Sequence, residues 1–476
     1  LGVPTAWLTS MCSFPGRRWL SWALLLPLAV PAYIIAYTYA GLLDFAGPVQ
    51  TWIRDLTGLS YGDYWFFEIR SLGGAVVMMS LVLYPYVYLM ARAAFLEQSV
   101  SSLEVGCSLG YSRWRAMWSL ALPMARPAII AGLSLALMET LADYGTVQYY
   151  GVSTFTTGIF RTFYGYGDTA AASQLAASLL AFVILLVLLE RYSRRRARYH
   201  SQAESRARAD LIPLKGSQAT VAIAVCLTPL LLGFVIPAAQ LLLWAVFEAQ
   251  PLGWDFVRLA WNSFSLAFLA AIIAVILAII LAYAKRTKPI KPVRMVIAMA
   301  GFGYALPGTI IAIGVLIPLA WADHRLIELF DSLGWDSPGL LLSGSLVALL
   351  FAYAVRFLAV ALASVQSGLE KIKPTLDHAG RSMGHGPLAI LRQIHVPLMR
   401  SSILTAVLIV FVDVLKELPA TLILRPFNFD TMAIRAYELA SDERLVDAAP
   451  ASIMIVLVGL IPVLMLHASI ARRRPH

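Results

Sequence analysis

The chain has 476 residues, of which 59% are hydrophobic and 13% charged, and its mean hydropathy is +0.74. So few charges cannot cover the surface of a soluble protein of this size, which excludes the soluble globular classes. The formal net charge is +10, and the three cysteines have no paired spacing, which argues against a disulfide framework and a cysteine-based metal site.

Apolar runs long enough to cross a bilayer follow one another along the chain. A run of about 18 or more apolar residues predicts a transmembrane helix. The predicted fold class is an all-α polytopic membrane protein with about ten complete transmembrane helices and an N-terminal stub, "LGVPTAWLTS". The predicted spans are 19–41, 71–95, 127–149, 170–190, 219–246, 263–284, 295–320, 340–366, 401–424 and 451–470.

Basic residues cluster beside these spans, at 191–208, 285–294 and 472–474. Nucleic-acid binding could also explain basic runs. Because each cluster borders an apolar span, the positive-inside rule explains them better. It predicts that the linker 191–217 and the C-terminus are cytoplasmic, and that the acidic loops face outward.

The chain repeats itself with a fixed offset. "VGCSLG", ending at Gly110, resembles "AGRSMG", ending at Gly384, and 384 − 110 = 274. Pro123 and Pro397 keep the same interval, since 397 − 123 = 274. The repeat predicts a first half at 1–190, a basic linker at 191–217 and a second half at 218–476.

The two predicted halves differ at their beginnings. The second has two spans before the span at 295–320, whereas the first has only the stub, and the chain begins with Leu1. We therefore expect about 60 or more natural residues before Leu1, enough for one span and most of another.

A short basic segment between two spans, "EVGCSLGYSRWRAMWSLALP" at 104–123, resembles the EAA loop of ABC-importer permeases. The matching residues are Glu104, Gly110 and Pro123 in the first loop, and His378, Gly384 and Pro397 in the second. The sequence departs from the motif where His378 replaces the acidic residue, although Asp377 stands beside it. Each loop predicts two short helices separated by its glycine. A plain interfacial helix is the alternative.

Two such loops in one chain resemble the fused permeases of the ferric-iron type. "LADYGTVQYYGVSTFTTGIFRTF" and "KELPATLILRPFNFDTMAIRAYELAS" resemble that subgroup in particular. The resemblance implies a multi-pass protein of the bacterial inner membrane and the import of Fe3+. It also implies an iron-binding protein outside, and two copies of a cytoplasmic ABC ATPase that bind ATP and Mg.

The resemblance implies no catalytic residue and no bound cofactor in this chain, and no Gly-x-x-x-x-Gly-Lys-[Ser/Thr] motif occurs in it. Thiamine, a phosphonate or another small solute remains an alternative cargo. An ion-coupled secondary transporter is the alternative from another class. We expect no resident metal site and no nucleic-acid partner.

Four carboxylates recur at the repeat offset inside predicted spans: Glu139, Asp143, Asp413 and Glu417. Each pair is spaced i, i+4, which predicts that both members share one helix face. Because ionisable groups in a membrane are costly, these four are candidates for a translocation pathway, and hard cations favour oxygen ligands. The alternative is structural pairing with Lys416, Arg161 or Arg435. Outer-loop residues could instead meet the binding protein; these are Tyr164, Tyr166, Asp168, Glu438 and Glu443.

Overall fold

The computed structural model describes residues 1–60, 62–97, 111–196, 211–251, 253–337 and 339–472. Within these ranges the chain is almost wholly helical, and its two strands are two residues each and pair in parallel. Eight helices are long and apolar enough to cross a membrane, or up to ten if each of two bent pairs is one span. This confirms the predicted all-α polytopic fold.

The helices and strands fall into two groups, before and after the basic linker. Up to residue 196 they are α1 (Gly2–Met11), β1 (Cys12–Ser13), α2 (Arg17–Ala23), α3 (Ala32–Leu43), α4 (Pro48–Thr57), α5 (Leu72–Glu97), α6 (Arg113–Ala116), α7 (Leu122–Ala142), α8 (Gly145–Tyr149), α9 (Phe155–Phe160) and α10 (Thr169–Arg196). From residue 211 they are β2 (Ile212–Pro213), α11 (Ser217–Leu230), α12 (Ile236–Leu243), α13 (Trp254–Thr287), α14 (Lys291–Ala300), α15 (Gly308–Ser332), α16 (Leu346–Glu370), α17 (Pro374–Ser382), α18 (Pro387–Ile390), α19 (Val396–Leu398), α20 (Arg400–Leu415), α21 (Pro419–Leu424), α22 (Met432–Ser441) and α23 (Leu445–Arg472).

Two predicted spans are broken near their middle. The span predicted at 19–41 is a pair of helical segments bent by 91°. The span predicted at 295–320 divides into α14 and α15, and α15 begins only at Gly308. Proline causes both breaks, because it disfavours helical backbone at the preceding residue. Val30 and Leu306, which precede Pro31 and Pro307, are extended.

The contacts within the chain define two compact units. The first contains Leu1–Thr154, Ala181–Ala249 and Glu443–His476, and the second contains Phe155–Leu180 and Gln250–Asp442. These units are defined by contacts in space, whereas the two copies are defined by the sequence repeat. The boundaries of the repeat at 190 and 218 remain a prediction about the two copies.

The core of the first unit is built around α1 and α5. The rings of Trp7 and Phe95 meet edge to face with centroids 5.3 Å apart. Glycines allow the neighbouring helices to approach α5 closely. A Cβ atom on Gly2 would lie 2.9 Å from the carbonyl oxygen of Tyr84, and one on Gly132 would lie 2.8 Å from that of Tyr86. Close packing through small residues is typical of membrane helices.

The second unit uses a seam of alanines for the same purpose. The seam lies on α13, which packs against α16 and α20. Its members are fully or almost fully buried and recur at spacings of three and four, so they share one helix face. They are Ala267, Ala271, Ala274, Ala278 and Ala282.

One local irregularity recurs in both copies. Turns of π-helix occupy Met117–Ala121 and Leu391–His395, and 391 − 117 = 274. Pro123 and Pro397 follow these turns by two residues. Because a proline ring collides with the carbonyl four residues earlier in a regular helix, a widened turn accommodates it. The same irregularity at the same offset supports the internal duplication.

Candidate functional site

A carboxylate caps a helix break in the first unit. Helix α7 ends at Ala142, and Asp143 has extended backbone angles. The backbone N–H groups of Thr146 and Val147 donate to Oδ1 of Asp143 at 3.0 and 3.2 Å, and the hydroxyl of Thr146 donates to Oδ2 at 3.0 Å. The side chain of Asp143 therefore satisfies the free backbone donors at the start of α8.

The equivalent carboxylate does the same in the second unit. Helix α20 ends at Leu415. The N–H of Ala420 donates to Oε1 of Glu417 at 2.9 Å, and the N–H and hydroxyl of Thr421 donate to Oε2 at 3.0 and 2.6 Å. Glutamate is one methylene longer than aspartate, and its threonine partner lies four residues ahead instead of three. The two copies thus build one cap with different side chains.

In the second unit a cation joins the cap. Nη1 of Arg356, on α16, lies 3.2 Å from Oε1 of Glu417, and the two side chains are 11% and 2% exposed. Gly308 leaves the space for this pair, since a Cβ atom there would lie 2.4 Å from the guanidinium and 2.6 Å from the carboxylate. The repeat offset places Val82 opposite Arg356 (356 − 274 = 82), so the first copy has no such cation at this position.

The predicted shared helix faces are wrong, because Asp143 and Glu417 lie beyond the ends of their helices. Glu139 and Asp413 stay in the last turns of α7 and α20 and are half-buried. Asp413 pairs with Lys416, whose Nζ lies 2.8 Å from Oδ1, so one predicted ionic partner is confirmed. Within the described ranges Glu139 has no hydrogen bond or ion pair from its side chain.

The buried cation Arg356 is not among the residues predicted from the sequence. A signal for it exists, because Arg356 is an isolated charge inside the predicted apolar span 340–366. The other two cations named for the structural alternative, Arg161 and Arg435, have exposed side chains. Among the described residues, no group of three or more His, Cys, Asp or Glu side chains could hold a metal ion.

The second EAA-like loop folds as two short helices with a break at Gly384. This residue has φ +83°, which favours glycine. Its N–H donates to the carbonyl of Arg381 at 2.9 Å, and the N–H of His385 donates to that of Gly380 at 3.0 Å. Such a pair of hydrogen bonds is typical of helices that end in a left-handed residue. The helix–break–helix prediction is therefore confirmed for this loop.

The corresponding residues of the first loop, Glu104 and Gly110, lie outside the described residues. After residue 110 the chain enters α6, which continues through the π-helical turn into α7, and Pro123 is the second residue of α7.

Asp377 anchors the second loop to the ends of two long helices. Nε of Arg286, at the end of α13, donates to Oδ2 of Asp377 at 2.8 Å. The same guanidinium donates to the carbonyls of Leu369 and Ile372, at the end of α16, at 2.6 and 2.9 Å. Nε2 of the fully buried His395 lies 2.5 Å from Oδ1 of Asp377. We call Arg286, Asp377 and His395 the loop clamp.

The loop clamp differs from what the EAA resemblance predicts. The motif aligns His378 with its acidic position, yet the neighbouring Asp377 makes the internal contacts and His378 is exposed. Arg286 fits the positive-inside pattern, so the sequence gives no reason to expect it in an ion pair. Neither Arg286 nor His395 lies within one helical turn of Asp377, and local spacing therefore cannot reveal the contact.

Acidic residues of the loops predicted to face outward take part in ion pairs. Nη1 of Arg70 lies 2.6 Å from Oε1 of Glu443, and the hydrogen bond from Arg70 lowers the pKa of Glu443. Nη2 of Arg425 lies 2.7 Å from Oε1 of Glu438. The ring of Tyr166 is exposed.

Replacing Arg286 with Gln should disconnect the second loop from α13 and α16. It leaves Asp377 with an uncompensated charge, which costs about 3 kcal/mol for a largely buried pair. We expect a lower unfolding temperature and, in a complex with the ATPase and binding protein that the EAA resemblance implies, loss of stimulated ATP hydrolysis. Arg258→Gln, an exposed residue on the same helix, is the matched control and should leave both values unchanged. Normal stimulation in Arg286→Gln would contradict the role given to the clamp.

Replacing a carboxylate with its neutral amide should distinguish a carboxylate that caps a helix break from one that contacts the transported solute. Glu417→Gln leaves Arg356 without its counter-charge, so we expect the protein to lose about 3–5 kcal/mol of stability. Glu139→Gln removes no hydrogen bond or ion pair among the described residues, so it should keep wild-type stability and lose uptake if the residue lines a pathway. Thermal unfolding and uptake are measured on the same reconstituted samples. Full uptake by Glu139→Gln would remove that residue from the pathway.

Comparison with known proteins agrees with the resemblance of the loops. Residues 1–199 match the family described as binding-protein-dependent transport system inner membrane component. An Fe(3+)-transport system permease protein, FbpB 2 of Haemophilus influenzae, is 25% identical over 471 residues, which cover 98% of this chain and 85% of that protein.

Other relatives align with a smaller part of the chain. The molybdenum transport system permease protein ModB of H. influenzae is 27% identical over 40% of this chain and 80% of its own length. The sulfate transport system permease protein CysT of Escherichia coli is 26% identical over 41% of this chain and 71% of its own length. The chain is therefore similar to binding-protein-dependent transport system inner membrane components, through residues 1–199 by the family match and through 98% of its length by the likeness to an Fe(3+)-transport permease.

Proposed function

We propose that this permease imports ferric iron. The observation that carries the proposal is the similarity over 98% of the chain to a protein named for Fe(3+) transport. That likeness extends through both predicted halves, whereas the relatives named for molybdenum and sulfate align with about two fifths of the chain. Fe3+ is the transported substrate in this proposal, and no resident metal or other cofactor is assigned to the chain.

The two EAA-like loops bind two copies of an ABC ATPase, which hold ATP and Mg and perform the hydrolysis. In the second loop, Met383 and Leu388 flank the break at Gly384 and are 67% and 76% exposed, which suits a protein contact. His378 faces the partner there, and Glu104 does so in the first loop. Linker 191–217, both loops and the C-terminus are cytoplasmic in this arrangement.

The four carboxylates have two different roles in this proposal. Asp143 and Glu417 hold the helix breaks, and Glu139 and Asp413 are the members of each pair that are not committed to a cap. The negative charge of Glu139 suits a hard cation, whereas that of Asp413 is balanced by Lys416. An oxyanion would instead need a free cation, and the buried Arg356 is already neutralised by Glu417. An iron-binding protein delivers the cargo to the outer loops that contain Tyr166 and Glu443.

Uptake from defined solutions tests the cargo. The permease is reconstituted with its ATPase and binding protein, and uptake is measured separately for Fe3+, molybdate, sulfate, thiamine and a phosphonate. We expect Fe3+ uptake that requires ATP on the ATPase side. Molybdate or sulfate uptake without Fe3+ uptake would replace iron with an oxyanion. Uptake driven by an ion gradient, with no ATP, would instead indicate a secondary transporter.

A further inference from the structure

Helix α14 is hardly covered by the protein around it. None of its ten residues is buried. At 100° per residue, Val293, Ile297 and Ala300 share one sector, and these three are the half-buried apolar residues that rest on the unit. A second sector, next to it, carries Met295, Val296 and Met299, which are 65%, 49% and 63% exposed. One apolar face of α14 is therefore not covered by the described residues.

The remaining sector and the approach to the helix are basic. Lys291 and Arg294 lie on α14, and Lys285 and Lys288 precede it; all four side chains are exposed. None of the four pairs with a carboxylate among the described residues. The neighbouring Arg286 is already held by Asp377. The sequence contains no acidic residue between Asp255 and Asp323, so nothing nearby along the chain neutralises the cluster.

The first copy has a related helix at the equivalent place. Helix α2 is followed by a 3-10 turn and Pro31, as α14 is followed by a 3-10 turn and Pro307, and 307 − 31 = 276. The indole of Trp19 on α2 is 50% exposed. An exposed indole beside an arginine, here Arg18, is typical of the boundary between headgroups and acyl chains.

We propose that α14 lies in the membrane surface and binds anionic phospholipids. Met295, Val296 and Met299 enter the acyl boundary, and Lys288, Lys291 and Arg294 contact the anionic headgroups. Its assignment to the cytoplasmic leaflet rests on the proposed function, and the lipid contact itself does not. An anionic membrane surface fits α14 in charge as well as in polarity, because a neutral surface would leave the lysines and the arginine without counter-charges.

The position of α14 gives this contact a consequence for transport. The helix joins the end of α13, which carries Arg286 of the loop clamp, to the start of α15, where Gly308 packs on Arg356 and Glu417. Contact between α14 and lipid headgroups therefore restrains the segment that links the loop clamp to the capped break. Anionic lipid should support coupling through this segment.

Spin-label accessibility tests the placement. Single nitroxide labels are attached at Val296→Cys and at Arg294→Cys, in a permease whose native cysteines are changed to Ser. The permease–ATPase complex is placed in nanodiscs of phosphatidylcholine with phosphatidylglycerol. We expect the label at 296 to collide with oxygen more than with a nickel chelate, and the label at 294 to show the reverse. Preference of both labels for the nickel chelate would overturn the proposal. Shielding of the label at 296 from both reagents would overturn it too, because a protein would then cover the face.

Charge removal tests the lipid chemistry. In Lys288→Gln/Lys291→Gln the enrichment of phosphatidylglycerol around the complex should fall about fivefold for each cation removed. Arg258→Gln/Arg325→Gln removes two exposed charges elsewhere in the unit and should leave the enrichment unchanged. An equal loss in both variants, or no loss in either, would contradict the proposal. Because lipid is counted in the absence of cargo, these outcomes do not depend on which solute is transported.

Discussion

Free backbone N–H groups at two helix breaks are the constraint on which this structure depends. A chain with 13% charged residues has few side chains with which to satisfy such groups, and an unpaired buried donor is costly. Asp143 and Glu417 each accept three hydrogen bonds from the segment that follows. The breaks let a long helix give way to short ones, and they are held at the ends of α7 and α20, the helices that begin at the two EAA-like loops. In the second copy the capped break and the EAA-like loop therefore lie at opposite ends of α20.

Both copies have the capped break, but they differ in the charged residues that surround it. Glu417 has the counter-ion Arg356, and the repeat places Val82 there in the first copy. The loop clamp shows the same difference, because the offset of 276 that relates Pro307 to Pro31 places Ser10 opposite Arg286, and the offset of 274 places Leu103 and Ala121 opposite Asp377 and His395. Buried ion pairs favour one arrangement over its alternatives more than they add stability. In the second copy, ion pairs therefore hold both the capped break and the EAA-like loop.

The sequence predicted the fold class and the break at Gly384, because these depend on apolar run length and on glycine and proline chemistry. It misplaced the ends of the helices near Asp143 and Glu417, since apolar residues continue past the breaks and hide them. The ion pair between Arg356 and Glu417 joins residues 61 positions apart, and the loop clamp joins Arg286 to a residue 91 positions away. Contacts of that range depend on tertiary packing, which periodicity along one helix does not report. The isolated charge of Arg356 in an apolar span was the one local signal of such a contact.

Amide hydrogen exchange tests the capped break most directly. Exchange is followed at Ala420 and Thr421 in the wild-type permease and in Glu417→Gln, with Thr146 and Val147 of the first copy as the internal reference. The amide group of the variant cannot accept all the bonds that the carboxylate accepts. We predict exchange at least about tenfold faster at Ala420 and Thr421, which corresponds to the loss of roughly one buried hydrogen bond, and no change at the reference amides. Unchanged exchange at Ala420 and Thr421 would show that Glu417 does not hold the break.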